Sequence, residues 1–183
     1  MTDLIPLTPL GRTAPHKTAA GPLYISEQTD VALASLSIAR GAPRPSPFGL
    51  DLPDIGKCVA GDGLGAFWIG PNTWMVEAAG QAETNFAAAL ARAVPDCAVT
   101  DQTDGYACID VTGTDADLNR LFAKLVNIDP KALVTGTAVR TGLDHMTVFV
   151  VRRSAEQVSF LGMRSYAGSL WHAIETAACR LDA

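Results

Sequence analysis

A chain of 183 residues with 14 Lys plus Arg against 19 Asp plus Glu has a net charge of -5, and it shows no basic cluster of the kind that grips a phosphate backbone or an anionic membrane surface. Charged residues reach 18% and apolar residues 48%, so more apolar surface than usual needs burial, in the chain's own core or against another chain, with the many alanines accounting for part of the excess. Cys58, Cys97, Cys108 and Cys179 show no C-x-x-C and no paired spacing, and His16, His145 and His172 have no H-x-x-x-H or H-x-E companion, which argues against a zinc site or a disulfide framework and fits reduced thiols in a cytoplasm.

In chain order, residues 1–22 contain Pro6, Pro9, Pro15 and Pro22 and little periodicity, which predicts an extended arm ordered only where it lies on something. This start has no continuous apolar segment, and the strongest apolar run, MTVFVV at 146–151, is too short to span a bilayer, so a soluble intracellular protein is expected. From 23 to 183 one α+β domain is predicted. VALASLSIA (31–39) reads as a strand, followed by a Pro-rich break, GAPRPSPFG (41–49), and by strands AFWIG (66–70) and TWMVEA (73–78) joined through Pro71-Asn72. Ala82, Phe86, Leu90 and Ala93 recur at helical spacing up to Pro95. CAVTDQ (97–102) and YACIDV (106–111) then read as a hairpin turning at Asp104-Gly105.

After Gly113, Thr114 caps a second helix with an acid, Asp117, at its third position, and Leu118, Leu121, Phe122, Leu125 and Val126 form its apolar stripe. Strands TAVRTG (137–142), MTVFVV (146–151) and QVSFLGM (157–163) precede a final helix capped by Ser165, with Tyr166, Leu170, Ile174 and Leu181 on one stripe, Trp171 and Ala178 alongside, and His172 and Glu175 off it. The order of elements repeats. Lobes at about 31–102 and 106–181 each read as a ferredoxin-like β-α-β-β-α-β unit, a pseudo-repeat of topology without visible sequence identity.

Motifs that carry chemistry are scarce. GDGLG (61–65) invites a phosphate-loop reading, yet a strand follows it where a helix N-terminus and a Lys-Ser/Thr pair belong. Asp144-His145 is the single adjacent acid–imidazole pair, at a predicted turn where short polar residues are expected on conformational grounds. Arg152, Arg153 and Arg164 offer guanidinium forks for a carboxylate or a partner's acids, and a solvated strand end explains them equally well. No G-x-S-x-G or comparable nucleophile motif occurs. No catalytic, cofactor-binding or metal-ligating residue is assigned.

Three stretches carry a family resemblance. TDQTDGYACIDVTGTDADLNRLFAKLVNID (100–129) resembles the folate-binding aminomethyltransferase pattern of the glycine-cleavage T-protein, while IGPNTWMVEA (69–78) and GMRSYAGSLWHAIETAA (162–178) resemble the gamma-subunit family of heterotetrameric sarcosine oxidases. The resemblance covers roughly residues 23–181, and its specificity lies in the ordered triplet of motifs. Tyr166 stands where that family more often has Phe, and residues 125–129 lack its frequent cysteine. The resemblance implies a heterotetramer of alpha, beta, gamma and delta chains that oxidises sarcosine to glycine with O2, giving H2O2 and 5,10-methylenetetrahydrofolate. It implies that FAD, FMN, NAD, zinc and tetrahydrofolate belong to other subunits and that the gamma chain is non-catalytic. TGLDHM (141–146) departs from the Gly-Gly-x-x-Asp-Asp turn of aminomethyltransferases, so Asp144 is not expected to act as their catalytic acid. The alternatives are a stand-alone folate-dependent aminomethyltransferase and an iron-sulfur maintenance protein of the same fold, whose Lys-Gly-Cys-Tyr-x-Gly-Gln-Glu motif is absent.

Overall fold

The computed structural model of the chain describes residues 5–182. Its α+β architecture consists, among these residues, of two antiparallel sheets and three α-helices. The strands are β1 (Lys17–Ala20), β2 (Leu23–Gln28), β3 (Val31–Ser37), β4 (Cys58–Gly61), β5 (Leu64–Gly70), β6 (Thr73–Ala79), β7 (Ala98–Asp101), β8 (Tyr106–Thr112), β9 (Thr137–Leu143), β10 (Met146–Ser154) and β11 (Gln157–Met163). The helices are α1 (Phe86–Ala93), α2 (Asp115–Leu125) and α3 (Ala167–Cys179). One sheet runs β1-β2-β8-β11-β10-β9 and the other β4-β5-β6-β3-β7.

Alternation along each strand explains why the sheets stack. In β3, Ala32, Ala34 and Leu36 join one apolar cluster while Leu33 joins another. The same split in β6 sends Trp74, Val76 and Ala78 to one face and Met75 to the opposite one. Period-two placement of apolar residues on both faces demands cover on both faces. Leu33, Phe67 and Met75 of the five-stranded sheet accordingly pack on Cys108, Phe149, Val151 and Leu161 of the six-stranded sheet. Helix α1 covers the outer face of the former through Phe86 and Leu90. Helices α2 and α3 cover the outer face of the latter through Leu118, Leu121, Phe122, Leu170, Trp171 and Ile174.

The two sheets follow the same plan with a strand exchanged. Read as β7-β3-β6-β5-β4 and β2-β8-β11-β10-β9, they match position by position, and the strands that precede β3 and β8 in the chain each cross to the other sheet, with β1 added outside β2. This corrects two expectations. First, Asp104-Gly105 does not join a hairpin: Gly105 N–H closes a turn on Gln102, but β7 pairs with β3 and β8 with β2 and β11. Second, the lobe at 106–181 does not contain its own last strand, which comes from Leu23–Gln28, and the Pro-rich crossover at 41–49 forms only a short 3-10 turn, Pro47–Gly49, because proline removes backbone donors.

Helix ends show further differences. Thr114 caps α2 as expected, its hydroxyl oxygen accepting from Asp117 N–H. Ser165, however, does not cap α3. It lies inside a 3-10 turn, Arg164–Tyr166, that leads into the helix, and no side chain caps α3 at Tyr166. Tyr166 is exposed, so the packing stripe is Leu170, Trp171, Ile174, Ala178 and Leu181. In α1, Asn85 caps, Ala82 falls in the preceding turn and Ala93 is exposed, with Val94 buried in its place. His172 is exposed, as its place off the stripe predicts. His172→Ala should therefore shift stability by less than about 0.5 kcal/mol, and a larger drop in Tm would show the helix facing to be wrong.

Candidate functional site between the sheets

Where the inward faces of β6, β8, β10 and β11 meet, the apolar layer gives way to polar side chains around a cleft of about 410 Å3. Glu77 on β6, 9% exposed, faces Arg153 on β10 in a two-pronged ion pair: Arg153 Nη1 donates to Glu77 Oε1, and Arg153 Nη2 donates to Oε2 at 2.8 Å. Arg153 Nε donates to Ser159 Oγ at 3.0 Å, Ser159 Oγ donates to Asp110 at 2.5 Å, and Gln157 Nε2 donates to the other Asp110 oxygen at 2.9 Å. The result is a continuous chain of polar contacts joining one sheet to the other. Planar guanidinium matched to a carboxylate is the strongest side-chain pairing available here, and its partial burial makes leaving either member alone costly.

Room for this pair depends on a glycine in the GDGLG stretch. A Cβ on Gly65 would lie 2.5 Å from Glu77 Oε1, so the carboxylate occupies the space that a side chain at 65 would take. The stretch is thus the β4–β5 hairpin, turning at Asp62-Gly63 with both residues at positive φ, and its glycines line the cleft mouth. Gly65→Ala is expected to displace Glu77 and loosen the cleft, read as faster amide exchange in β6 and β10.

Burial pushes the Cys108 thiol well above its ordinary value, Asp110 adds to the rise and Arg153 only partly opposes it, so the thiol stays protonated and is a poor nucleophile. Burial also raises Cys58. For Arg153, burial alone would lower the pKa, but the Glu77 carboxylate more than offsets it and the net direction is up. Because the unfolded thiol ionises near pH 9 while buried Cys108 does not, stability attributable to it is complete below pH 9 and falls as pH rises above it. Cys108→Ala should flatten that alkaline decline in denaturant titrations.

The other residues singled out from sequence lie elsewhere. Arg152 points to the opposite face of β10, 1% exposed, with Nη2 donating to Asp115 at 2.7 Å and to the Ala155 carbonyl at 2.6 Å, and with its guanidinium 5.4 Å from the Phe122 ring centre. Arg152 and Arg153 are therefore neither a clamp for a partner's acids nor a solvated strand end; each is consumed by an internal carboxylate. Asp144, at φ 49, and His145 form the two-residue β9–β10 turn, away from the cleft. Among the described residues, the one cation lining the cleft is Arg153, and it is committed to Glu77; Asp62 and Asp110 line the cleft as well.

Arg164 has a different task. Its backbone N–H donates to the Gly105 carbonyl at 3.0 Å, its side chain lies 3.5 Å from Asp104, and Nη2 donates to the Leu7 carbonyl at 2.8 Å. Two stretches that carry the family resemblance, DQTDG and MRSYAG, thus meet in space and hold the N-terminal arm. The third does similar work: Trp74 Nε1 donates to the Pro53 carbonyl at 2.8 Å, fastening the Pro-rich crossover. Sequence reasoning missed Glu27, which is 2% exposed and accepts from Leu10 N–H and His16 N–H, both at 3.0 Å, while His16 lies 4.5 Å from the Trp171 ring. A lone glutamate in LYISEQ gave no signal of this role. The arm forms one wall of a second cavity, about 510 Å3, that adjoins the cleft at Gln28, Val31 and Cys108. Glu27→Ala is expected to free residues 8–16, seen as sensitivity to limited proteolysis there, and to cost about 2 kcal/mol for the two amides left without their carboxylate.

No family model matches the chain, and no curated protein matches it in sequence. Among solved structures, it is similar to a chain of heterotetrameric sarcosine oxidase from Corynebacterium sp. U-96 in complex with pyrrole 2-carboxylate, at 20% identity and a TM-score of 0.73, covering 91% of this chain and 89% of that one. It is also similar to glycine cleavage system aminomethyltransferase T from Bartonella henselae, at 17% identity and a TM-score of 0.59, covering 81% of this chain and 44% of that one. The resemblance read from the sequence is thus matched by a likeness of fold to both proteins.

Proposed function

We propose that this chain is the gamma subunit of a heterotetrameric sarcosine oxidase and serves assembly rather than catalysis. The observation that carries the reading is coverage: fold likeness spans nearly the whole of both chains for the sarcosine oxidase, but under half of the aminomethyltransferase. Likeness along nearly the whole of a heterotetramer's chain favours a subunit over a transferase. We read each sheet as an elaborated β-α-β-β-α-β, ferredoxin-like unit, the second completed by β2. On this reading FAD, FMN, NAD, zinc and tetrahydrofolate are carried by the alpha, beta and delta chains, and the complex is cytoplasmic.

The chemistry of the cleft supports the division of labour. General acid–base work needs an ionisable group free to reach substrate. Here both oxygens of Glu77 are held by Arg153, and Asp110 is occupied by Ser159 and Gln157. Cys108 is a buried thiol. The contacts of these residues hold the sheets together and hold the arm, which supports the assembly reading. The purified chain, given tetrahydrofolate and an aminomethyl donor, is expected to show no turnover above the uncatalysed background. Turnover abolished by Asp144→Asn would overturn the proposal in favour of a stand-alone aminomethyltransferase.

A further inference from the structure

On the helix-covered side of the six-stranded sheet, remote from the cleft, lies a groove of about 370 Å3 between the C-terminal ends of α2 and α3 and the β9–β10 turn. Ala173 and Ala177 line it alongside Lys124, Asp144, His172 and Arg180. His172 lies on α3 and Arg180 is the residue that ends it, and both line the groove. Asp144 lines the groove from the β9–β10 turn. Among the described residues, none of Lys124, Asp144, His172 or Arg180 makes an ion pair within 4.0 Å, whereas Arg44, Arg120, Arg152, Arg153 and Arg164 all do.

Two fixed cations against one carboxylate leave the groove positive in a chain whose net charge is -5. Placement near helix C-termini suits a cation through the helix dipole, but it does not require Lys124 and Arg180 to open on the same concavity. A guanidinium fork and an ammonium on neighbouring walls match the two oxygens of a carboxylate. Asp144 disfavours the compact double charge of a phosphate group and accepts a donor beside a single bound carboxylate. We propose that this groove binds a carboxylate, held by Lys124 and Arg180, with Asp144 receiving an adjacent N–H or O–H. The carboxylate is that of a free organic acid or of an acidic polypeptide segment, and the site stands whether or not the assembly role does.

Calorimetric titration of the full chain with succinate, and separately with a hexaglutamate peptide, tests it. Saturable binding is expected at low salt, weakened about tenfold by Lys124→Ser or Arg180→Ser. Arg92→Ser, an exposed cation on α1, should leave it unchanged and serves as the charge control. Saturation by succinate assigns the site to a free acid, and saturation by the peptide alone assigns it to an acidic segment of another protein. No saturable binding of either, or equal weakening by Arg92→Ser, overturns the proposal. Both groove residues are exposed, so unchanged Tm in the variants separates lost binding from lost fold.

Discussion

Leu170→Asp is expected to destabilise the chain by more than about 4 kcal/mol, a large share of the roughly 5–15 kcal/mol that holds a typical domain folded. Leu170 is fully buried on α3, and a Cβ added to Gly162 would lie 2.9 Å from its side chain, so helix and strand are in direct contact there. An aspartate at this point loses apolar burial and places a carboxylate with no partner in an apolar layer. Urea titration followed by far-UV circular dichroism should show a midpoint shifted far down or no folded baseline. A midpoint within the error of wild type would mean that α3 does not pack as described.

Breaking the pair between the sheets should cost nearly as much. Glu77→Ala leaves the Arg153 guanidinium enclosed with only Ser159 to receive it, and removing one member of a buried pair costs about 3–5 kcal/mol. The exposure of both side chains, 16% and 11%, is small enough that solvent screening relieves only part of this. Replacing both members, Glu77→Met with Arg153→Met, should recover most of the loss, because two apolar side chains satisfy one another where a single charge cannot. If the double variant were as unstable as the single one, the cleft would owe its stability to something other than this pair.

What sequence could and could not reveal follows from the range over which each signal acts. Period-two apolar runs such as VALASLSIA and QVSFLGM located their strands, and the Thr114–Asp117 cap located the start of α2, because these signals are local. LYISEQ was not recognised as a strand: it pairs with the short β1 inside the Pro-rich arm and with the distant β8, and its buried Glu27 breaks the apolar pattern. The Asp104-Gly105 turn was legible as a turn but not as a crossing between sheets, since the same four residues close either one. Arg153 and Glu77 lie 76 positions apart, so nothing local pairs them. Ser165 failed as a cap because the preceding 3-10 turn moves the helix start beyond it.

The motifs that carry the family resemblance have a physical reading that supports the assembly account. Arg164 binds the arm and the Asp104-Gly105 turn, Trp74 binds the Pro-rich crossover, and Leu170 and Trp171 anchor α3. All of these are fastening tasks. Ile5, Leu7, Met163 and Tyr166 are exposed on the arm and beside Arg164.

The most direct measurement is native mass spectrometry of the affinity-tagged chain isolated from its own host at physiological expression. The account predicts one stable complex containing three other polypeptides, with flavin absorbance that is absent from the chain produced alone. Isolation of a lone chain that binds and turns over a reduced folate, with no companion polypeptide, would contradict it.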